Sequence, residues 1–387
     1  MSNKLGPLGR REVNCGGGAI TLGALAAWLM AGSSLVRAEA LAQGAPEIDR
    51  LTLSTVIDSY QIAVAPDVKV GNVTIKRFGF ALSDEPPGKA IASEFGLSLH
   101  ASSQAGSETR NILIDFGYTP EALNNNIALL ALDPGKIDAL VLSHGHYDHF
   151  GGLVGFLSQN KGKLRAKLPI FLGGEECFCA RQWLAPPMKG DFGALDRMAI
   201  QDADLAIMFS EGPALVADQA FTTGRVDLKS FEKVLSPSTM KIGRVGNFGC
   251  YPEAFDAEER EKGSIPDQFR HEIGTAFNLK GKGLIVLSSC SHRGIVNIVK
   301  QAQAVSGVSR VHAIIGGFHL APFKDDYVRE VVSAIRQIDP DYVVPMHCSG
   351  EPFYEIMKAD MPTKLLRSFT GSRFIRAYPV KAYTHYI

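Results

Sequence analysis

Three histidines and one aspartate fall within six consecutive positions, His144, His146, Asp148 and His149, in the string VLSHGHYDHFGGL. In a loop leaving a strand, imidazoles two residues apart can turn to one point, and the adjacent Asp148-His149 pair can face a second. Two metal ions about 3.5–4 Å apart can then share a water whose pKa drops towards neutrality, giving a bridging hydroxide. Imidazole nitrogen and carboxylate oxygen in this ratio suit two divalent transition-metal ions, zinc best, with iron or manganese as alternatives. Four such groups on one short loop are costly to bury unless something binds them.

The motif resembles the H-x-H-x-D-H signature of the metallo-β-lactamase superfamily, and the resemblance extends over residues 50 to about 370. FTTGRV, GLIVLSSCSHRGIVN, IIGGFHL and VPMHCSG are similar, more narrowly, to the dihydropterin ribofuranosyl-aminobenzene phosphate synthase-like subfamily. The resemblance implies an α/β fold, a four-layer αβ/βα sandwich. It implies further ligands as well. His347, at the end of DYVVPMH, matches the final histidine of the second metal, and His271 in HEIGTAF resembles the third ligand of the first. The bridging position, where an aspartate is expected, offers only Cys290 or His292 in GLIVLSSCSHRG, and His292 is favoured. His319, after IIGGF, is read as a proton donor or substrate contact. Asp115, ending NILID, is expected to orient a ligand histidine through a hydrogen bond.

This donor set predicts hydrolysis of a small-molecule ester, lactone, amide or phosphoester, with Asp148 both binding metal and positioning the hydroxide. A non-hydrolytic di-iron protein handling oxygen or electrons is the alternative, since the same ligands hold iron. No Gly-rich dinucleotide fingerprint follows a strand to support it.

The elements that must hold these residues are legible in the periodicity. LTLSTVID, KVGNVTIKRFGFALS, LSLHASS and NILIDFG predict strands of one antiparallel sheet. Thr119-Pro120-Glu121 opens a helix, and KIDALVLS is a strand running into the metal motif. From GTAFNLKGKGLIVLSS onwards, strands alternate with the helical stretches RGIVNIVKQAQAVSG and DDYVREVVSAIRQI, the pattern of α/β layering. The less regular segment at about 175–268 is expected to be an insertion over the mouth of the site, with a hairpin around LAIMFSEGPALVADQAFTTGRV.

Residues 1–40 carry Arg10-Arg11, an apolar glycine-containing run and Ala38-Glu39-Ala40, the pattern of a cleavable export signal of the twin-arginine type. The expectation is a periplasmic protein with domain 41–387 and no stable membrane span in the mature chain. Forty basic against forty acidic side chains give no net charge, which argues against nucleic acid as partner and says nothing of oligomeric state. Outside the signal lie Cys177, Cys179, Cys250, Cys290 and Cys348, an odd number, so at least one thiol stays free or binds metal. Cys177 and Cys179 are too close to bond to each other and are expected as small buried hydrophobes.

Overall fold

The computed structural model of the chain describes residues 36–37, 41, 44–62, 64–78, 88–187, 189–235 and 237–376. Apart from Val36–Arg37, the expected export segment lies outside them.

Two sheets form the middle of the molecule. The first has ten strands, in the order Val36–Arg37, Ala206–Phe209, Pro169–Leu172, Ala139–Leu142, Glu108–Ile114, Ser98–Ala105, Arg50–Ile57, Arg373–Arg376, Val73–Lys76 and Val68–Val70. Pairing is antiparallel through the half that contains Arg50–Ile57 and parallel from Glu108–Ile114 to Val36–Arg37. The second sheet runs Ala214–Val216, Ala220–Thr222, Thr275–Leu279, Gly283–Ser288, Val311–Gly317 and Tyr342–Met346, with Glu47–Ile48 also on Thr275–Leu279.

Strand alternation divides the apolar residues into separate layers. Ala139 and Val141 face the second sheet, beside Phe277, Ile285, Ile315 and Val344. Their neighbours Leu140 and Leu142 face outward, against Leu123 and Ile127 of helix Pro120–Leu129 and Phe156 of helix Leu153–Gln159. In the second sheet Val286, Ile314 and Val343 likewise turn away from the centre. They meet helices Ile295–Ser306, Asp325–Ile338 and Glu351–Asp360. The result is the α/β, four-layer αβ/βα sandwich that the motif implied. Helix Asp325–Ile338 shows the cause: Val328, Val331, Val332 and Ile335 make one buried stripe at helical spacing. Thr119 caps Pro120–Leu129 by accepting from Ala122 N, with proline in the first turn, where no N–H is needed.

The stretch 175–268 is not a single insertion. Ala206–Phe209 is an inner strand of the first sheet, and Ala214–Val216 with Ala220–Thr222 forms a hairpin belonging to the second. A four-stranded antiparallel sheet, Gly190–Asp191, Ala180–Trp183, Ser238–Lys241 and Ser264–Pro266, and the two-stranded hairpin Arg244–Val245 with Phe248–Gly249 stand apart from both. The irregular composition that suggested one long insertion reflects short core strands separated by turns.

Parallel pairing places the C-terminal ends of Gly283–Ser288, Val311–Gly317 and Tyr342–Met346 at one edge of the second sheet. Glu108–Ile114 and Ala139–Leu142 end together in the first. The segments that leave these ends carry Asp115, the 144–149 motif, Cys290, His292, His319 and His347.

Candidate metal centre

Strand Ala139–Leu142 delivers the motif, and each histidine is fixed through one ring nitrogen. His149 Nδ1 lies 2.7 Å from Asp115 Oδ2. His144 Nδ1 is 2.9 Å from Ser143 Oγ, and that hydroxyl donates to Asp115 Oδ2. His347 Nδ1 is 3.4 Å from Ser59 Oγ, and His146 Nε2 is 3.0 Å from Ser238 Oγ on the four-stranded sheet. A hydrogen bond on one nitrogen sets ring orientation and frees the other for a metal.

The free atoms converge. His149 Nε2 and His347 Nε2 stand 3.3 and 3.1 Å from Asp148 Oδ2. Ligand atoms of His149, Cys290 and His347 lie within 4.8 Å of one another, as do those of His144, Cys290 and His292. His144 Nε2, Asp148 Oδ1, His149 Nε2, His347 Nε2 and both ring nitrogens of His292 are buried without a hydrogen-bond partner. An unmet buried polar atom costs roughly 1–3 kcal/mol, so this many at one point fit a bound cation.

The electrostatics agree. Burial opposes charge on His149, yet the carboxylates of Asp148 and Asp115 outweigh it and hold its pKa up at about 10. The same field favours a metal cation at Nε2. Burial also opposes ionisation of Asp148, but His149 and His347 pull its pKa well below the usual carboxylate range. On the other side, burial depresses His144 and His292 well below the ordinary histidine value and takes His146 to about 3. Those three are neutral imidazoles, the form that binds metal.

Cys290 belongs to both ligand groups, whereas His292 joins only His144 and Cys290. This reverses the expected order, since Cys290 holds the middle and His292 flanks it. His292 stacks on Phe269 with centroids 3.7 Å apart, which fixes its plane, and its backbone N–H donates to Glu272 Oε1.

His271 is placed differently from the expectation. Its Nε2 accepts from Arg181 Nη2 at 3.0 Å and from Gly145 N at 3.1 Å, while its Nδ1 lies 3.1 Å from Glu176 Oε2. Both nitrogens are therefore engaged outside the centre, in a buried network where Arg181 also pairs with Asp267. The ring props up the motif's backbone instead of offering a lone pair to metal, and His292 stands beside His144 and His146. Glycine at 145 is required because a Cβ there would run into Arg181 Nη1 and the Cys177 carbonyl.

His319 packs on His292 with ring centroids 4.1 Å apart, and its Nε2 is buried without a partner. Three contributors were not singled out from the sequence. Asp58, ending LTLSTVID, accepts the His347 N–H at 2.9 Å, and burial lifts its pKa to about 6. Glu272 accepts the N–H groups of His292 and Arg293, and burial raises it to about 7. Cys348, next to His347, lies 3.2 Å from Cys290 across the two sulfurs. The first two follow strand-like or ligand-bearing strings, a signal that could have flagged them.

Cys179 is not a lone buried hydrophobe, because it forms a disulfide with Cys250. The partner lies 71 residues away, too far for spacing to reveal. Cys177, Cys290 and Cys348 are free.

Comparison with known proteins bears on the family and the fold. The profile of the metallo-β-lactamase superfamily matches residues 104–168, which include the motif. The chain is 28% identical over 292 residues to a 7,8-dihydropterin-6-methyl-4-(β-D-ribofuranosyl)-aminobenzene-5'-phosphate synthase of Methanocaldococcus jannaschii, covering 73% of this chain and 89% of that protein. A second protein of that archaeon, uncharacterised, is 26% identical over 245 residues, 62% of this chain and 80% of its own. A solved structure described as a metal-dependent hydrolase of the β-lactamase superfamily superposes with a TM-score of 0.60 at 21% identity, covering 84% of this chain and 98% of that one. It supports the fold.

Proposed function

The chain belongs to the metallo-β-lactamase superfamily, and on that premise we propose that it is a metal-dependent hydrolase of a small-molecule ester, lactone, amide or phosphoester. The observation that carries the reading is the ring of buried, partnerless donors from His144, Asp148, His149, His292 and His347 around Cys290. His144, His146 and His292 would hold one divalent ion and Asp148, His149 and His347 a second, with Cys290 between them; zinc suits the set best. Bound metal supplies activation of a water and polarisation of the scissile oxygen.

The chain's own groups do the rest. Asp148 Oδ1, free of other partners, accepts a hydrogen bond from the attacking water and aims it. His319 Nε2 holds the proton for the leaving group. Trp183 of the four-stranded sheet and Phe192, just after strand Gly190–Asp191, stand 6.1 and 5.3 Å from the His146 ring and make an apolar wall that excludes bulk water.

The relative from Methanocaldococcus jannaschii is named a synthase, which makes the class of bond the property to test. A panel of esters, lactones, amides and phosphoesters, run on zinc-loaded protein and on Asp148→Ala, decides it. The expected result is turnover of one class, reduced by several orders of magnitude in the variant. Absence of hydrolysis across the panel with both metals bound would count against it.

We further propose export, with residues 1–40 removed in the periplasm. The Arg10-Arg11 signal and the Cys179–Cys250 disulfide support an oxidising compartment. The edge strand Val36–Arg37 would leave with the signal. Among the described residues, no helix is long and apolar enough to cross a membrane. Intact residues 1–40 on periplasmic protein would contradict processing.

A further inference from the structure

We propose that Cys290 and Cys348 act together as a two-sulfur clasp on the metal centre, an inference that rests on the metal-dependent reading above. Their sulfurs stand 3.2 Å apart and unbonded, although the same chain closes Cys179 and Cys250 into a disulfide. The pair is reached from two strands, Gly283–Ser288 and Tyr342–Met346, that flank Val311–Gly317 without touching each other. Gly317 at the end of the middle strand makes the meeting possible. A Cβ there would lie 2.9 Å from Cys348 Sγ and would strike the Ser289 carbonyl.

His319 approaches both sulfurs. The His319 backbone N–H donates to Cys348 Sγ at 3.2 Å, and His319 Nδ1 lies 3.8 Å from Cys290 Sγ. These contacts orient the sulfurs as outer partners orient a metal-bound histidine. Cys290 is also the atom common to three ligand groups: with His144 and His292, with His149 and His347, and with His319 and Cys348. Cys348 therefore adds a donor beside Cys290 in a group that contains no histidine of the 144–149 motif. Two thiolates move the preference of the centre towards soft and borderline ions, zinc, cobalt or ferrous iron, and away from manganese and magnesium.

The test loads metal-free protein with Co2+ and reads two independent signals: visible ligand-field bands, which count bound cobalt, and near-ultraviolet sulfur-to-cobalt charge transfer, which reports thiolate ligation. The expected result is strong charge transfer in the wild type. Cys290→Ser and Cys348→Ser should each remove about half of it while cobalt remains bound. Cobalt bound without charge transfer, or charge transfer indifferent to Cys348→Ser, would overturn the clasp and leave the metal reading standing. No cobalt uptake at all would overturn both. If Cys348→Ser does not fold, iodoacetamide on the native wild type with and without Zn2+ decides: zinc should shield Cys290 and Cys348 alike. Equal labelling of Cys348 in both states, or a Cys290–Cys348 disulfide in the loaded protein, would sink the proposal.

Discussion

Asp115 Oδ2 lies 2.7 Å from His149 Nδ1 while Oδ1 of the same carboxylate accepts the Ser143 N–H at 2.7 Å. One side chain at the end of strand Glu108–Ile114 thus fixes both a ligand ring and the start of the loop that carries the other ligands. It does so from a left-handed backbone conformation, φ 56°, which turns the carboxylate from the strand towards the motif.

Asp115→Asn should therefore weaken metal binding without removing a ligand. The amide can offer only one acceptor oxygen where the carboxylate satisfies Ser143 and His149 together. Affinity for zinc should fall about 10–100-fold, the range for losing such an outer partner. Competition titration against a chelator measures it, and an unchanged affinity would show that Ser143 and packing suffice.

Breaking the Cys179–Cys250 disulfide should destabilise the four-stranded sheet and with it the wall at His146. The bond closes a sequence separation of 71 residues and ties Cys179, just ahead of strand Ala180–Trp183, to the hairpin Arg244–Val245 with Phe248–Gly249. Cys179→Ala combined with Cys250→Ala should cost roughly 2–4 kcal/mol in chemical denaturation. Equal stability of the variant and the oxidised wild type would contradict the assignment.

His100 gives a pH dependence remote from the metal ligands. It lies on strand Ser98–Ala105, where burial first and the charge of Arg373 second lower its pKa to about 4. A histidine depressed in the fold contributes stability that is fully present above its unfolded value near 6.5 and is lost as pH falls through about 4. Between pH 7 and pH 4 the wild type should lose on the order of 2–3 kcal/mol through this group. His100→Gln should flatten that part of the profile, and parallel profiles would rule the linkage out.

The fold was legible because its signals are local. The continuous apolar run Ala139–Leu142, the Thr119-Pro120 helix start and the stripe Val328, Val331, Val332, Ile335 each state their own geometry within one turn or one strand. The 144–149 motif was legible for the same reason, since four donors on one loop need no tertiary information. What sequence could not supply is which distant groups meet. His271 and His292 both sit beside turns and both carry plausible ligand context, and only the position of Arg181 decides that His271 is spent on a hydrogen-bond network. Cys348 and Cys250 were opaque likewise, because their partners come from strands or hairpins 58 and 71 residues away. A hairpin was expected at 205–226, but not that Ala206–Phe209 joins the first sheet and Ala214–Val216 with Ala220–Thr222 the second, because strands this short do not name their partners.

The two histidines also provide the sharpest test of the centre. His292→Ala removes a buried ring whose nitrogens have no other partner, so it should lower metal stoichiometry at the His144–His146 position and leave the fold intact. His271→Ala acts in the opposite way. It strips acceptors from Arg181 Nη2 and Gly145 N and a partner from Glu176, all in a buried setting. Leaving those groups unmet should cost roughly 2–4 kcal/mol of stability while both metals still bind at saturating concentration. Elemental analysis after reconstitution and a denaturation curve on each variant separate the outcomes. If His271→Ala loses an equivalent of metal while His292→Ala keeps two, the ring beside Arg181 is the ligand after all and the network around it must rearrange on metal binding.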